Sequence, residues 1–341
     1  MNCLMNFSNR DFHLICTVII SALLFKNYYY YYYKNRVVLE PEPCFSLLDP
    51  SNTTQQPVKD VYDRLIDIND FKFVLNPPTC ANSSAGFLLL VVVSSAPGHA
   101  LNRHVIRTTW GQTSEYTKVV FLMGKIENSS LNQEVQNESL QHGDIVQGNF
   151  VDAYRNMTYK HVMGLKWMAH HCPMAKYVLK ADDDIVVHSD AFKKFLVREL
   201  SPWGASDLIL CYKTVEPGVF RTNSKWAVTF KEYPGNKYPD CCAGYAIVYS
   251  QDVVIELLDA AQNAKYFWID DVHVTGSLAK DISVEPTQMR KLMLSQSRSY
   301  ALLYLGPFYS GRFLFGPRDL PVEWMLRLWD AIKANSYSYL A

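Results

Sequence analysis

Four uninterrupted apolar runs dominate the middle of the chain: Phe87 to Val93, Val119 to Met123, Asp144-Ile-Val146 and Tyr177 to Lys180. A run without polar alternation suits a strand covered on both faces. Segments of helical length and pattern separate them, near 98–109, 128–142 and 153–170. Strand, helix, strand, helix predicts a parallel α/β sheet. The second half reads as mixed, with strands over Leu208 to Tyr212, Trp226 to Phe230 and Ala246 to Tyr249, and a helix over Gln251 to Gln262. A possible helix runs from Val272 to Lys280. The C-terminal 50 residues carry no usable motif.

The front end differs. Phe12 to Phe25 is a 14-residue apolar run, and six tyrosines, Tyr28 to Tyr33, extend it to 22 positions. About 20 residues span a bilayer core, and tyrosine suits its interface. A cleaved signal peptide lacks its small-residue cleavage site here. A buried helix would have to pack six tyrosines on one face. The pattern predicts a tail over 1–11, a membrane anchor over 12–33, a proline-punctuated stem over 34–85 and a globular domain over 86–341. The stem contains one short helix, between Val58 and Val74.

Lys and Arg after the anchor (Lys26, Lys34, Arg36) outnumber Arg10 before it, which by itself places the C-terminus in the cytosol. Five N-x-S/T sequons after the anchor oppose that orientation: Asn52, Asn82, Asn128, Asn137 and Asn156. They are acceptors only on the luminal side. Six cysteines after the anchor allow up to three bridges in an oxidising lumen. The reading adopted is luminal.

Composition narrows the class. The 341 residues balance 33 Lys+Arg against 33 Asp+Glu, which argues against nucleic acid as a partner. Charged residues at 19% with balanced sign exclude a disordered acidic or basic chain. No H-x-x-x-H or C-x-x-C spacing predicts a zinc site.

Chemistry concentrates in Lys180-Ala-Asp-Asp-Asp-Ile-Val-Val187. Three aspartates follow a strand end, where open α/β sheets place their ligands. In extended backbone Asp182 and Asp184 point one way and Asp183 the other. Paired carboxylates are hard donors for Mg²⁺ or Mn²⁺, although an acidic loop or a helix cap would look alike. Arg103 and Arg107 lie four apart on one helix face, as a diphosphate clamp or as solvated charges. Asp270 and Asp271 precede the Val272 helix, as a cap or as a general base.

Together these segments resemble the β1,3-galactosyltransferase and β1,3-N-acetylglucosaminyltransferase family, glycosyltransferase family 31. Arg103-His-Val-Ile-Arg-Thr-Thr-Trp-Gly111 resembles its R-x-x-x-R-x-T-W box, and Phe121-Leu-Met-Gly124 its F-L-x-G. Asp144 to Lys160 resembles D-I-x-x-x-D-F-x-D-x-Y-x-N-L-T-x-K, and Lys180 to Val187 matches K-x-D-D-D-x-x-V. Tyr238 to Gly244 resembles Y-P-x-Y-C-x-G, and Ile269 to Val272 the E/D-D-V box. The chain departs at Cys241, where an aromatic is usual, at Tyr245 to Ile247, and at Gly276, which falls one residue late.

The resemblance implies a GT-A fold, a UDP-sugar donor, Mn²⁺ or another divalent cation, and inverting transfer to a 3-hydroxyl of a glycan on glycoprotein or glycolipid. It implies a single-pass type II Golgi membrane protein. By position, Asp182 and Asp184 are the metal residues, and Asp271 is the base. Arg103, Arg107, Asp152, Lys160, Asp182 and Asp183 fall on the donor side; Tyr238, Gly244 and Asp270 fall on the acceptor side. Galactose is the preferred donor sugar, with N-acetylglucosamine the alternative. A non-catalytic luminal carbohydrate-binding protein is the rival class, on the same scaffold.

Overall fold

The computed structural model describes residues 45–50, 58–80, 87–306 and 311–336. All fall in one compact unit, Leu39–Ala341. The expected anchor over 12–33, Asn52 and Asn82 lie outside the described residues. Among the described residues no helix is long and apolar enough to cross a membrane.

The continuous apolar runs form the centre of an eight-stranded mixed sheet. Strands β3 (Phe87–Ser94), β4 (Thr117–Lys125), β5 (Ile145–Val151) and β6 (Ala175–Asp182) pair in parallel, with β3 between β4 and β6. Leu90, Val93, Val120, Phe121 and Val178 are fully buried, as strands covered on both faces require. Beyond β6 the sheet turns antiparallel through β9 (Cys241–Ser250) and β8 (Ile209–Thr214); β10 (Thr287–Gln288) then pairs parallel to β8. A two-stranded sheet joins β1 (Ser46–Leu47) to β7 (Ala205–Ser206).

Helix α1 (Ala100–Thr108) follows β3, α2 (Ser129–His142) follows β4, and α3 (Met157–His171) follows β5. Asn128 caps α2 through its side chain, and Gly143 closes it in the left-handed region at φ +62°. Helix α3 packs on β3, β4, β5 and α5 (Gln251–Asn263) and carries the fully buried Trp167. Helix α4 (Ser189–Arg198) follows the aspartate loop, and α6 (Gln296–Leu305) and α7 (Val322–Ser336) end the described chain.

Three expectations are corrected. Residues 58–72 form turns and irregular backbone rather than a helix, because Asp60 and Val61 are drawn to Lys166, and Leu65 pairs with Ile68. The expected stem is partly folded domain: β2 (Phe73–Leu75) adds an antiparallel edge to β5, Phe71 is buried, and Cys80 bridges to Cys172 at the end of α3. Trp226 to Phe230 alternates like a strand but is loop. Arg221 gathers the carbonyls of Val228, Tyr233 and Gly235 and rounds the segment up.

The second bridge, Cys211–Cys242, cross-links β8 and β9. Cys241 is free and buried. After Asp271 the backbone runs as a π-helix, Val272–Leu278, in which Ala279 N–H reaches Val274 O. A π-turn holds one extra residue, which absorbs the late Gly276 noted in the sequence. A Cβ at Gly276 would lie 3.0 Å from Pro239 and 3.2 Å from Cys241, so glycine and the small thiol fit together there.

Candidate active site

The carboxyl ends of β3 and β6 meet at one edge, where Ser94 pairs with Asp182. An open cleft of about 230 Å³ lies there, lined by Asp182, Asp184, Asp270, Asp271, Gly244 and Lys180. Tyr154, Trp226 and Trp268 form its aromatic wall, and Lys225, Arg318 and Asp319 complete the rim.

The alternation expected for the three aspartates is present. Asp182 and Asp184 face the cleft, whereas Asp183 turns back and accepts from Ser95 Oγ at 2.7 Å and His99 Nδ1 at 2.9 Å. Its backbone carbonyl accepts from Asn102 at 3.1 Å. Asp183 therefore fastens the start of α1 to the aspartate loop.

Lys180, two residues before Asp182 on the same strand face, is buried and donates to Asp182 at 2.8 Å and to the Gly244 carbonyl at 2.5 Å. Burial works against its charge, but Asp182 and Asp270 keep the ammonium firmly protonated. Asp270 lies 3.8 Å from Lys180 and accepts from His161 at 3.0 Å. Burial opposes its ionisation, yet Lys180 and His161 hold it below the usual carboxylate range.

Asp271 behaves oppositely. Burial and the neighbouring Asp270 charge push it up to about 7. One oxygen accepts from Val272 N–H at 2.8 Å. Gly244 lies beside it on the cleft lining, where an added Cβ would meet Asp271 Oδ2 at 3.5 Å, an ordinary contact distance. A carboxylate of raised basicity on the cleft lining can take a proton near neutral pH.

Asp184 is also pushed up, to about 6, by burial and by the Asp182, Asp183 and Asp319 carboxylates. Among the described residues no cation pairs with it. Asp184 without a cation, beside Asp182 with Lys180 as its partner, offers hard oxygen donors of the kind a divalent ion takes, although among the described residues no group of three or more His, Cys, Asp or Glu side chains is gathered to hold one.

Other expected donor residues lie away from this cleft. Arg103 is fully buried: it grips both Glu138 oxygens, at 2.8 and 2.6 Å, together with Ser95 Oγ and the Ala96 and Pro97 carbonyls. Arg107 makes a fork with Asp144, at 2.8 and 2.9 Å, and also meets Glu138. These guanidiniums are spent on α2 and on the loop after β3. Lys160 pairs with Asp152 at 2.9 Å and donates to Ser95 O, while Asp152 accepts from Gly124 N–H at 2.6 Å. That pair ties β3 to β4 at the same sheet edge. Tyr238 is buried beside Tyr233 and Phe267, outside the cleft lining.

Sequence reasoning gave no role to Lys180, His161, Trp226, Arg318 or Asp319. Lys180 was detectable as the i−2 neighbour of Asp182. Arg318 and Asp319 had no signal, since tertiary pairing brings them in: Leu320 N–H donates to Asp184 O at 2.9 Å and Gly316 N–H to Val186 O at 2.6 Å.

The galactosyltransferase family model matches residues 101–290, a span that holds Arg103, both carboxylate pairs and the π-helix. β1,3-Galactosyltransferase 5 of Gorilla gorilla gorilla is 34% identical over 209 residues, 60% of this chain and 69% of that protein. β1,3-Galactosyltransferase 1 of Mus musculus is 31% identical over 231 residues, 66% of this chain and 69% of that protein. The glycosyltransferase GlyE of Streptococcus pneumoniae TIGR4 aligns with 74% of this chain and 64% of its own at 13% identity and a TM-score of 0.36. On the family match and its curated relatives, this chain belongs to the galactosyltransferase family.

Proposed function

We propose that the chain is an inverting, UDP-sugar-dependent β1,3-glycosyltransferase of GT-A type that transfers galactose to glycans of glycoproteins or glycolipids. The observation that carries the reading is the placement of Asp182, Asp184 and Asp271 in one cleft. Galactose is preferred because the relatives are named β1,3-galactosyltransferases.

In this mechanism the acceptor 3-hydroxyl lies against the Asp271 carboxylate. The bond from that hydroxyl oxygen to the sugar C1 forms as the C1–phosphate oxygen bond breaks, and the hydroxyl proton passes to Asp271. UDP departs on the opposite side. Asp182 and Asp184 would hold Mn²⁺, or another divalent cation. A bound ion supplies positive charge that stabilises the departing phosphate. Lys180 holds Asp182 and the Gly244 carbonyl in place, and the aromatic wall offers apolar faces to sugar rings.

A Golgi location, with an N-terminal anchor and a luminal domain, completes the reading. Two disulfides and the exposed sequons Asn128 and Asn137 support it. Transfer assays with UDP-galactose, UDP-N-acetylglucosamine and UDP-N-acetylgalactosamine, with Mn²⁺ and a panel of glycan acceptors, test the function. Galactose transfer is expected. Transfer of N-acetylglucosamine instead would reassign the donor, and no transfer or donor hydrolysis with any sugar would favour the non-catalytic carbohydrate-binding reading.

A further inference from the structure

Arg318 enters the cleft from a part of the chain outside the family-matched span, which ends at residue 290. Its position is set by backbone rather than by its own contacts. Gly316 N–H donates to Val186 O and Leu320 N–H donates to Asp184 O, so residues 316–320 are pinned at both ends to the aspartate loop. Between the pins Asp319 adopts φ +57°, a left-handed conformation costly for most side chains.

The guanidinium that this turn delivers is available. Among the described residues its one ion-pair partner is the adjacent Asp319 at 3.5 Å, and its side chain is 58% exposed. Arg103 and Arg107 are different, with their donors consumed by Glu138, Asp144 and backbone carbonyls. Lys180 is likewise committed to Asp182 and Gly244. Lys225 sits over the rings of Tyr154 and Trp226, on the aromatic wall. A diphosphate entering beside Asp182, Asp184 and Asp319 meets like charge, and the planar fork of Arg318 lies on the same rim. Guanidinium binds phosphate oxygens through two parallel N–H donors, which neither a point charge nor a saturated arginine offers.

We infer that Arg318 binds the diphosphate of the nucleotide-sugar donor, which makes the 316–320 segment part of the donor site. The inference rests on the glycosyltransferase reading above. It assigns the anion-binding task to Arg318 rather than to the arginines of the R-x-x-x-R box.

Titration calorimetry of UDP and of uridine into the full-length protein tests it, with Mn²⁺ and separately with EDTA. The wild type is compared with Arg318→Ala and Arg318→Lys. Arg318→Ala is expected to weaken UDP binding at least tenfold in both conditions and to leave uridine unchanged, with Arg318→Lys between. Unchanged UDP affinity in Arg318→Ala, beside a wild type that binds UDP, overturns the inference and leaves the function intact. Equal loss of uridine and UDP together with a lowered melting temperature also overturns it, since Arg318 would then be structural. A wild type that binds no UDP with Mn²⁺ overturns the function and the inference together.

Discussion

The buried imidazole of His161 donates its Nδ1–H to the Asp270 carboxylate at 3.0 Å and accepts the Tyr249 hydroxyl on Nε2 at 3.0 Å. The tautomer follows from the partners, because an ionised carboxylate can only accept. Burial lowers the His161 basicity, so the ring stays neutral and serves as a fixed donor. Asp270 thereby remains charged beside Asp271, and its charge adds to burial in raising the basicity of Asp271.

Asp271→Asn keeps the shape and removes the base. Turnover should fall by about 10²–10⁴-fold, the usual worth of general base catalysis. UDP affinity measured with Mn²⁺ should survive. A folded variant with near-normal transfer would remove Asp271 from the role.

The pH profile follows from the same pair. Asp271, pushed up to about 7, must be ionised to accept a proton, so kcat/KM should rise through pH 7 and then level. Asp270→Asn removes the neighbouring charge, and the rising limb should move to lower pH. Initial rates between pH 5 and pH 9 report both. A limb that stays at pH 7 in Asp270→Asn would mean that burial alone sets it.

Stability should run the other way. A carboxyl whose folded pKa exceeds its unfolded value near 4 contributes stability below pH 4, and this is lost as pH rises through about 7. Asp271→Asn should therefore melt higher than wild type at pH 8 and show no such advantage at pH 4. Scanning calorimetry at the two pH values checks the sign.

The sequence displayed the aspartate edge because local rules govern it. Four apolar runs place the parallel strands, and the strand period separates Asp182 and Asp184 from Asp183. It was silent where distant groups decide. The alternation of Trp226 to Phe230 gives way to Arg221, and the helix expected after Val58 gives way to Lys166, both through side chains reaching remote carbonyls. The arginine pair looked like an anion clamp because Glu138 and Asp144, 35 and 37 residues away, cannot be foreseen as partners.

Metal dependence isolates Asp184. Asp184→Asn exchanges an anionic ligand for a neutral amide and should abolish most of the gain in UDP affinity that Mn²⁺ gives. Titrations with Mn²⁺ and with EDTA measure that gain. Equal UDP binding in both conditions for the wild type would reduce the aspartates to an acidic loop.

Glycan attachment tests topology. Asn128 and Asn137 are exposed, whereas Asn156 is half-buried with its amide donating to Val151 O at 2.8 Å. In animal cells Asn128→Gln and Asn137→Gln should each remove one glycan from the gel pattern, and Asn156→Gln none. A protein unaffected by endoglycosidase, and open to protease in intact microsomes, would reverse the luminal placement.

The pairing of Leu320 with Asp184 ties the cleft to the order of synthesis. The ribosome makes Asp182, Asp184 and Asp271 well before Gly316 to Leu320, so the nascent chain carries its aspartates without their covering rim. A message stopped at codon 311 would encode every residue of the family-matched span and still yield a protein without Arg318 and Asp319 at its cleft rim and without the buried Phe313, Leu314 and Phe315. Alleles truncated there should behave as null for transfer, although all the motifs legible in the sequence survive.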